Sequence, residues 1–506
     1  MSLERRGRDT LNVRSPWEMW AGGSAFSGSM RHVTAAGRGA PDLSGLPAGF
    51  LWGAGTSSFQ VEGRAGQRGR SIWDRFCEEP GRIVDGSDAL VACDHVKRYR
   101  RDVEAMADLG LDAYRFSISW PRVLPGGRGM VSPAGLSFYD RLVDALLEAG
   151  IAPWATLYHW DLPEGLQDAG GWTLRGLADA FTDYAVTVHS ALGDRVLHWA
   201  TLDDPWSAAW RGYGSGTHAP GIADHELAAR ASHHLLLAHG RAVAAMRAQA
   251  PADHRFGIML NVAQVVPDPR LPDAVTARLE PSARRIDAIQ NRWWLDALLT
   301  GGYPDDGYDL LEPYLGGVVT AEDLAEICVP LDYLGIDYFG DRMIAPAEEP
   351  GPDDEGEHPG VGDVRPADPM PEATSTGSPV TPGGLHRTLV RLTEEYPGCP
   401  PLVVAANGSA WPDPPEALAA DGPVPDPART DYLHAHLEAV VEAVKDGADV
   451  RGYFVWSLLD SFEWAHGYSQ RFGLLRVDHA TLERRARASF RAYRALIAGT
   501  RDQDRG

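Results

Sequence analysis

From Leu46 onward, short apolar runs alternate with longer amphipathic stretches. Runs of strand length occur at Phe50–Ala54, Ala113–Ser119, Ala152–Tyr158, Leu197–Leu202, Phe256–Val265, Tyr333–Phe339, Leu402–Ala405 and Gly452–Ser457. Helical periodicity fills the intervals, among others at Val96–Leu109, Phe138–Ala149, Gly176–Leu192, Ala228–Ala248, Arg284–Leu299, Asp431–Lys445 and Ala486–Leu496. Eight apolar runs, each followed by helix, predict the α/β class. The expected architecture is a single (β/α)8 TIM barrel with extended βα-loops, spanning residues 45–500. No repeat of fixed period appears, which argues against a solenoid or a propeller.

Three segments break the rhythm. Residues 1–44 are rich in Gly, Ser and Arg without periodicity, and Glu18 and glycines interrupt their aromatic residues. A secretory signal needs a continuous apolar stretch, so a disordered extension and a cytoplasmic protein are expected. Residues 345–384 are dense in Pro, Gly, Asp and Glu and read as a long, partly mobile acidic loop without a core of its own. Residues 501–506 read as a tail.

Composition narrows the function. The 506 residues include 47 basic and 70 acidic side chains, a net charge of −23 with a pI near 5.1. Such a balance opposes nucleic-acid binding and docking on an anionic membrane. No apolar run approaches the length of a spanning helix. Cys77, Cys93, Cys328 and Cys399 are scattered, without metal-ligand or disulfide spacing. Neither a metal nor an organic cofactor is implied, and the oligomeric state is not legible.

In a barrel of this type the chemistry sits just beyond the strand ends. There the chain offers Gln60 and Glu62, Arg115, His159 and Trp160, Asp203 and Asp204, Asp337, Asn407, and Trp456 with Glu463 and Trp464. The surrounding motifs are long: F-L-W-G-A-G-T-S-S-F-Q-V-E-G at 50–63, Y-R-F-S-I-S-W-P-R at 114–122, T-L-Y-H-W-D-L-P at 156–163 and G-Y-F-V-W-S-L-L-D-S-F-E-W at 452–464. In that order they resemble glycoside hydrolase family 1, the retaining β-glucosidases, from about Phe50 to Ile497.

The resemblance implies a small-molecule sugar or glycoside ligand. Gln60, His159 and Glu463 would bond the hydroxyls of the non-reducing sugar, and Trp456 and Trp464 would form its floor and wall. Arg115, Trp160 and Tyr338 complete the implied binding set. A pyranose has polar edges, matched by Gln, His and Glu, and C–H faces that stack on indole.

The same resemblance locates departures. Where the family carries N-E-P, this chain reads D-D-P, with Asp203 for the asparagine and Asp204 for the acid/base glutamate. Where the nucleophile is expected in E-N-G, the chain reads A-N-G, with Ala406 in its place. The family's N-Y-Y becomes Asp337-Tyr338-Phe339, and the tryptophan of the aglycone platform becomes Ser378. Departures concentrated in one shell speak for natural divergence over a single engineered change.

A methyl group cannot attack a sugar, so the double-displacement route is expected to be closed. Arg115 would otherwise face an unpaired buried charge, and Asp203 or Asp337 is the candidate partner. Asp203, Asp204 and Asp337 are thus the candidate catalytic residues of an acid–base chemistry: elimination, cyclisation, isomerisation or cleavage without a covalent intermediate. Asp203 is also expected to raise the pKa of its neighbour Asp204. A non-catalytic sugar-binding pseudo-glycosidase and a weak residual glycosidase remain as alternatives.

Overall fold

A computed structural model describes residues 39–66, 68–352, 356–415 and 422–503. Most of the expected N-terminal extension, residues 1–38, lies outside the described residues, as do 504–506.

Eight parallel strands close the barrel. They are β1 (Leu51–Thr56), β2 (Ala113–Ser117), β3 (Ala152–Tyr158), β4 (His198–Asp203), β5 (Arg255–Asn261), β6 (Tyr333–Tyr338), β7 (Leu402–Asn407) and β8 (Val450–Trp456). Each pairs with its neighbour in sequence, and β8 returns to β1 with Gly55 opposite Trp456. Every predicted run holds a barrel strand, because strands covered on both faces are apolar throughout and stand out in sequence.

The outer layer comprises α1 (His95–Leu109), α2 (Pro133–Glu148), α3 (Gly176–Leu192), α4 (His225–Arg247), α5 (Asp273–Asp287), α6 (Pro382–Glu395), α7 (Pro427–Lys445) and α8 (Ala488–Gln503). Sequence dictates several of their starts. Ser132 accepts from the Gly135 amide at 3.1 Å ahead of Pro133, and Asp224 accepts from the Leu227 amide at 3.0 Å. α4 is buried on most of its surface between α3 and two shorter helices, Asp305–Leu315 and Ala321–Ile327. At Gly240 a side chain would strike the Glu326 carbonyl, so this crossing requires glycine. α8 runs on through Gln503, which takes the first half of the expected tail into helix.

Inside the barrel, Ala113, Trp154, Ala200, Met259, Tyr333, Val403, Ala405 and Phe454 form a closed apolar plug. Further along the same strand faces, two residues past Ala113 and four past Tyr333, Arg115 and Asp337 replace the apolar pattern. Register shifts on β4, between Ala200 and Asp203, and on β7, between Val404 and Ala406, re-aim the residues at the strand ends. The plug is therefore the floor on which the polar site stands.

The acidic segment 345–384 differs from its reading as a loop without a core. It contains the strand Val364–Pro366, paired antiparallel with Arg342–Pro346, which in turn pairs with Val265–Pro267. Val361 and Ile344 are buried against Leu279, Ala283 and Ile286 of α5. The segment has too few apolar residues to make a core alone, and α5 supplies the others.

Candidate active site

β2, β4 and β6 deliver the central charges. Arg115 is almost fully buried, and its guanidinium hydrogen-bonds the Asp203 carboxylate. Asp337 lies 3.9 Å from another nitrogen of the same guanidinium. His159 places Nδ1 3.2 Å from Asp203, and the Arg115 guanidinium stands 5.2 Å from the centre of the Trp456 ring.

These contacts divide the carboxyl groups into two kinds. Burial alone would raise Asp203, but Arg115 and then His159 outweigh it and bring its pKa down to about 2. Burial, together with the negative charge of Asp203, pushes Asp337 well above the usual carboxylate range. Two carboxyl groups with pKa values shifted in opposite directions thus flank a single arginine. Of the two candidate partners, Asp203 is the one that pairs with Arg115.

Asp204 is held differently. Its backbone is left-handed, with φ of 38°, and its carboxylate accepts from the Ser207 amide at 3.0 Å and the Ser207 hydroxyl at 2.7 Å. Asn261 on β5 adds a third bond at 3.2 Å. Burial still raises the Asp204 pKa against these bonds. The expected influence of adjacent Asp203 falls instead on Asp337. Ser207 was legible, since Asp followed three residues later by Ser is a capping spacing; Asn261 had no local signal.

Ala406 follows the shift in β7 and stands opposite Asp337 in the ladder. Its methyl group belongs to an apolar cluster with Ala410, Trp456 and Phe472, against which Phe339 packs. Ser378 sits in a hydroxyl-rich turn whose Ser375 amide donates to the Ala410 carbonyl at 3.0 Å.

The sugar-binding candidates converge on the other side. Gln60 donates to Glu463 at 3.0 Å and is itself fixed by the Ser57 hydroxyl at 2.6 Å. Burial raises Glu463 to about 7. The His159 ring lies nearly parallel to both Trp456 and Trp464, at 5.8 and 5.5 Å between centroids. Trp160 packs 4.5 Å from Trp464, and its indole N–H is spent on the Asp203 and Asp204 carbonyls at 2.9 and 3.1 Å. Trp160 therefore positions the β4 turn and presents only its ring to a ligand.

Two residues depart from their expected place. Tyr338 faces the helix layer: its hydroxyl donates to Asp341 at 2.7 Å and its ring lies 6.1 Å from that of His436 on α7. It is not a binding residue of the mouth, because strand alternation sends it outward once Asp337 points inward. Asn407 likewise turns outward, donating to the Tyr338 carbonyl at 2.6 Å and accepting from Tyr453 at 2.6 Å.

The model of the family described as "Glycosyl hydrolase family 1" matches residues 43–501. This chain belongs to that family. It is 43% identical over 464 residues to a thermostable β-glucosidase B of Thermobispora bispora, covering 92% of each chain. It is 44% identical to a bifunctional β-D-glucosidase/β-D-fucosidase of Bifidobacterium breve, covering 90% of this chain and 98% of the relative. A psychrophilic β-glucosidase from Micrococcus antarcticus superposes with a TM-score of 0.83 at 44% identity, over 90% of this chain and 98% of that one.

Within this family 1 barrel, Arg115, His159, Asp203 and Asp337 are buried together at the strand ends. Ser207 and Asn261, which were not singled out from the sequence, join it through their bonds to Asp204. No helix among the described residues is long and apolar enough to cross a membrane.

Proposed function

We propose that this family 1 member binds a sugar or a glycosylated small molecule at the barrel mouth, and that the retaining catalytic pair is lost. Ala406 carries this reading. Retaining hydrolysis needs a carboxylate that attacks the anomeric carbon and a second carboxyl group about 5–5.5 Å away. At position 406 stands a methyl group packed among Ala410, Trp456 and Phe472.

No neighbouring carboxyl group is a ready substitute. Asp203 is bound to Arg115, Asp204 to Ser207 and Asn261, and the pKa of Asp337 is raised by burial and by Asp203. A protonated carboxyl group is a poor nucleophile. The binding half of the reading rests on Gln60, His159, Glu463, Trp456 and Trp464, which match a pyranose in chemistry. A 38% identical β-glucosidase from Thermotoga maritima has been seen in complex with glucoimidazole and with deoxynojirimycin, and sugar-like ligands of that kind suit this mouth.

One observation favours a second reading, acid–base chemistry on the bound ligand. Burial and the charge of Asp203 raise the pKa of Asp337, while Arg115 and His159 lower that of Asp203. A donor and an acceptor of protons thus stand together without a nucleophile.

The test combines calorimetry with glucose and deoxynojirimycin and product analysis of an aryl β-glucoside. Binding is expected, with hydrolysis slower than in an ordinary family member by about 10⁴-fold, the scale of losing a nucleophile. Turnover within about tenfold of such an enzyme contradicts the proposal. A product other than free glucose selects the second reading.

A further inference from the structure

On the rim beyond Asp204, buried hydrogen-bond donors lack acceptors. Trp206 follows the Asp204–Pro205 turn and is 3% exposed, and its indole N–H bonds nothing among the described residues. The Trp210 indole N–H, fully buried, is in the same state. His358, also fully buried, has both ring nitrogens unpartnered and stands edge-on to both indoles, with centroids 5.6 and 4.9 Å away. Such groups are rare in folded proteins and each calls for a partner.

Charge points the same way. The Arg211 guanidinium lies 5.4 Å from the centre of the Trp206 ring and forms no ion pair or hydrogen bond among the described residues. Arg342, 5.9 Å from the same ring, is by contrast matched by Glu357 and by Gln290 at 2.7 Å. Arg211 acts electrostatically on Asp204 and Glu463, which places its charge at the mouth. In a chain of net charge −23, a guanidinium that no carboxylate bonds, although Asp204, Glu463 and Glu357 all feel its charge, is no generic basic surface beside orphan N–H donors.

We propose that Arg211, Trp206 and His358 form an anion subsite, which holds a carboxylate or a phosphate carried by the ligand beyond its sugar ring. Arginine presents a planar fork that matches either group, and neutral N–H donors complete an anion's shell without adding repulsion. The subsite rests on the sugar-binding reading above and extends it to an anionic glycoside.

Calorimetry on the full chain tests it with glucose, phenyl β-glucoside, 4-carboxyphenyl β-glucoside and 4-(phosphonooxy)phenyl β-glucoside. One or both anionic glucosides should bind at least about tenfold tighter than the phenyl glucoside, a preference that shrinks with added salt. Whichever binds tighter separates carboxylate from phosphate. Arg211→Gln should erase the preference, costing the anionic glucosides at least about tenfold more affinity than it costs glucose, and His358→Phe, which keeps the ring but loses both nitrogens, should reduce it.

Equal affinity of the three aryl glucosides, or a preference that survives Arg211→Gln, overturns the subsite while the sugar site stands. If neither glucose nor any glucoside binds, the sugar-binding reading falls with it.

Discussion

Ala406 on β7 and Asp337 on β6 are direct partners across the barrel ladder. A carboxyl group therefore stands one strand away from a site that holds only a methyl group. Its pKa is raised there by burial and by the negative charge of Asp203, which hydrogen-bonds Arg115. On the proposed reading, its position and its raised pKa together set this mouth apart from one built for covalent catalysis.

The two aspartates should answer differently to the same change. Asp203→Asn leaves buried Arg115 without its bonded carboxylate and should cost about 3 kcal/mol, the scale of a broken buried pair. Asp337→Asn replaces a neutral group with a neutral one of the same shape and should cost less than about 1 kcal/mol. Urea midpoints at neutral pH measure both. Because Asp203 has a depressed folded pKa, its contribution is full above the ordinary value of 3.8 and fades as pH falls towards about 2.

Asp161 sets an opposite slope. Burial raises it to about 7, against the Ser119 hydroxyl and the charge of Arg68, and the Ser58 hydroxyl donates to it at 3.3 Å. The folded state then binds more protons than the unfolded state between the ordinary value of 3.8 and about 7, so this contribution weakens as pH rises through that window. Asp161→Asn should flatten the fall in melting temperature between mildly acidic and mildly alkaline buffer. An unchanged slope removes Asp161 from the explanation.

Sugar affinity should itself titrate. Glu463, with a pKa raised to about 7, accepts from Gln60, and an ionised carboxylate is the stronger acceptor for a sugar hydroxyl. Binding of glucose should tighten as pH rises through that value, and Glu463→Gln should lose the dependence. Glu463→Ala should weaken binding by about 1.5–3 kcal/mol, the scale for a hydrogen bond to a charged group. Calorimetry across pH reads both effects.

Sequence reveals strands and helices here because the barrel buries them in long apolar runs; Ala152–Tyr158 and Gly176–Leu192 carry the same bounds in sequence and structure. It does not reveal which face a residue takes at a strand end. Tyr338 and Asn407 follow the outward face, whereas the shifts in β4 and β7 turn Asp203 and Ala406 by local geometry that no periodicity encodes. The choice of Asp203 over Asp337 as Arg115's partner is a matter of reach in three dimensions. The packing of 345–384 was hidden for a related reason, since its core is completed by α5, more than 50 residues upstream.

Restoring the glutamate alone should not restore hydrolysis. In Ala406→Glu the new side chain meets Phe339 where a tyrosine hydroxyl is expected, and Arg115 already bound to Asp203. Nearby carboxyl groups would raise its pKa and blunt its attack. Ala406→Glu, Phe339→Tyr, Asp203→Asn, Asp204→Glu and Asp337→Asn together should exceed the sum of the single effects. Values of kcat/KM on an activated aryl glucoside decide this; equal rates for the single and combined variants make the other four residues incidental.

The most direct measurement is the intact mass of the protein after exposure to an activated 2-deoxy-2-fluoro-β-glucoside, which traps a glycosyl–enzyme when a nucleophile is present. The native protein should keep its mass, while the combined variant gains one fluoroglucosyl group that peptide mapping places at position 406. A stoichiometric adduct on Asp203, Asp204 or Asp337 of the native protein would contradict the account, because it would show that this mouth has kept covalent catalysis with another carboxylate.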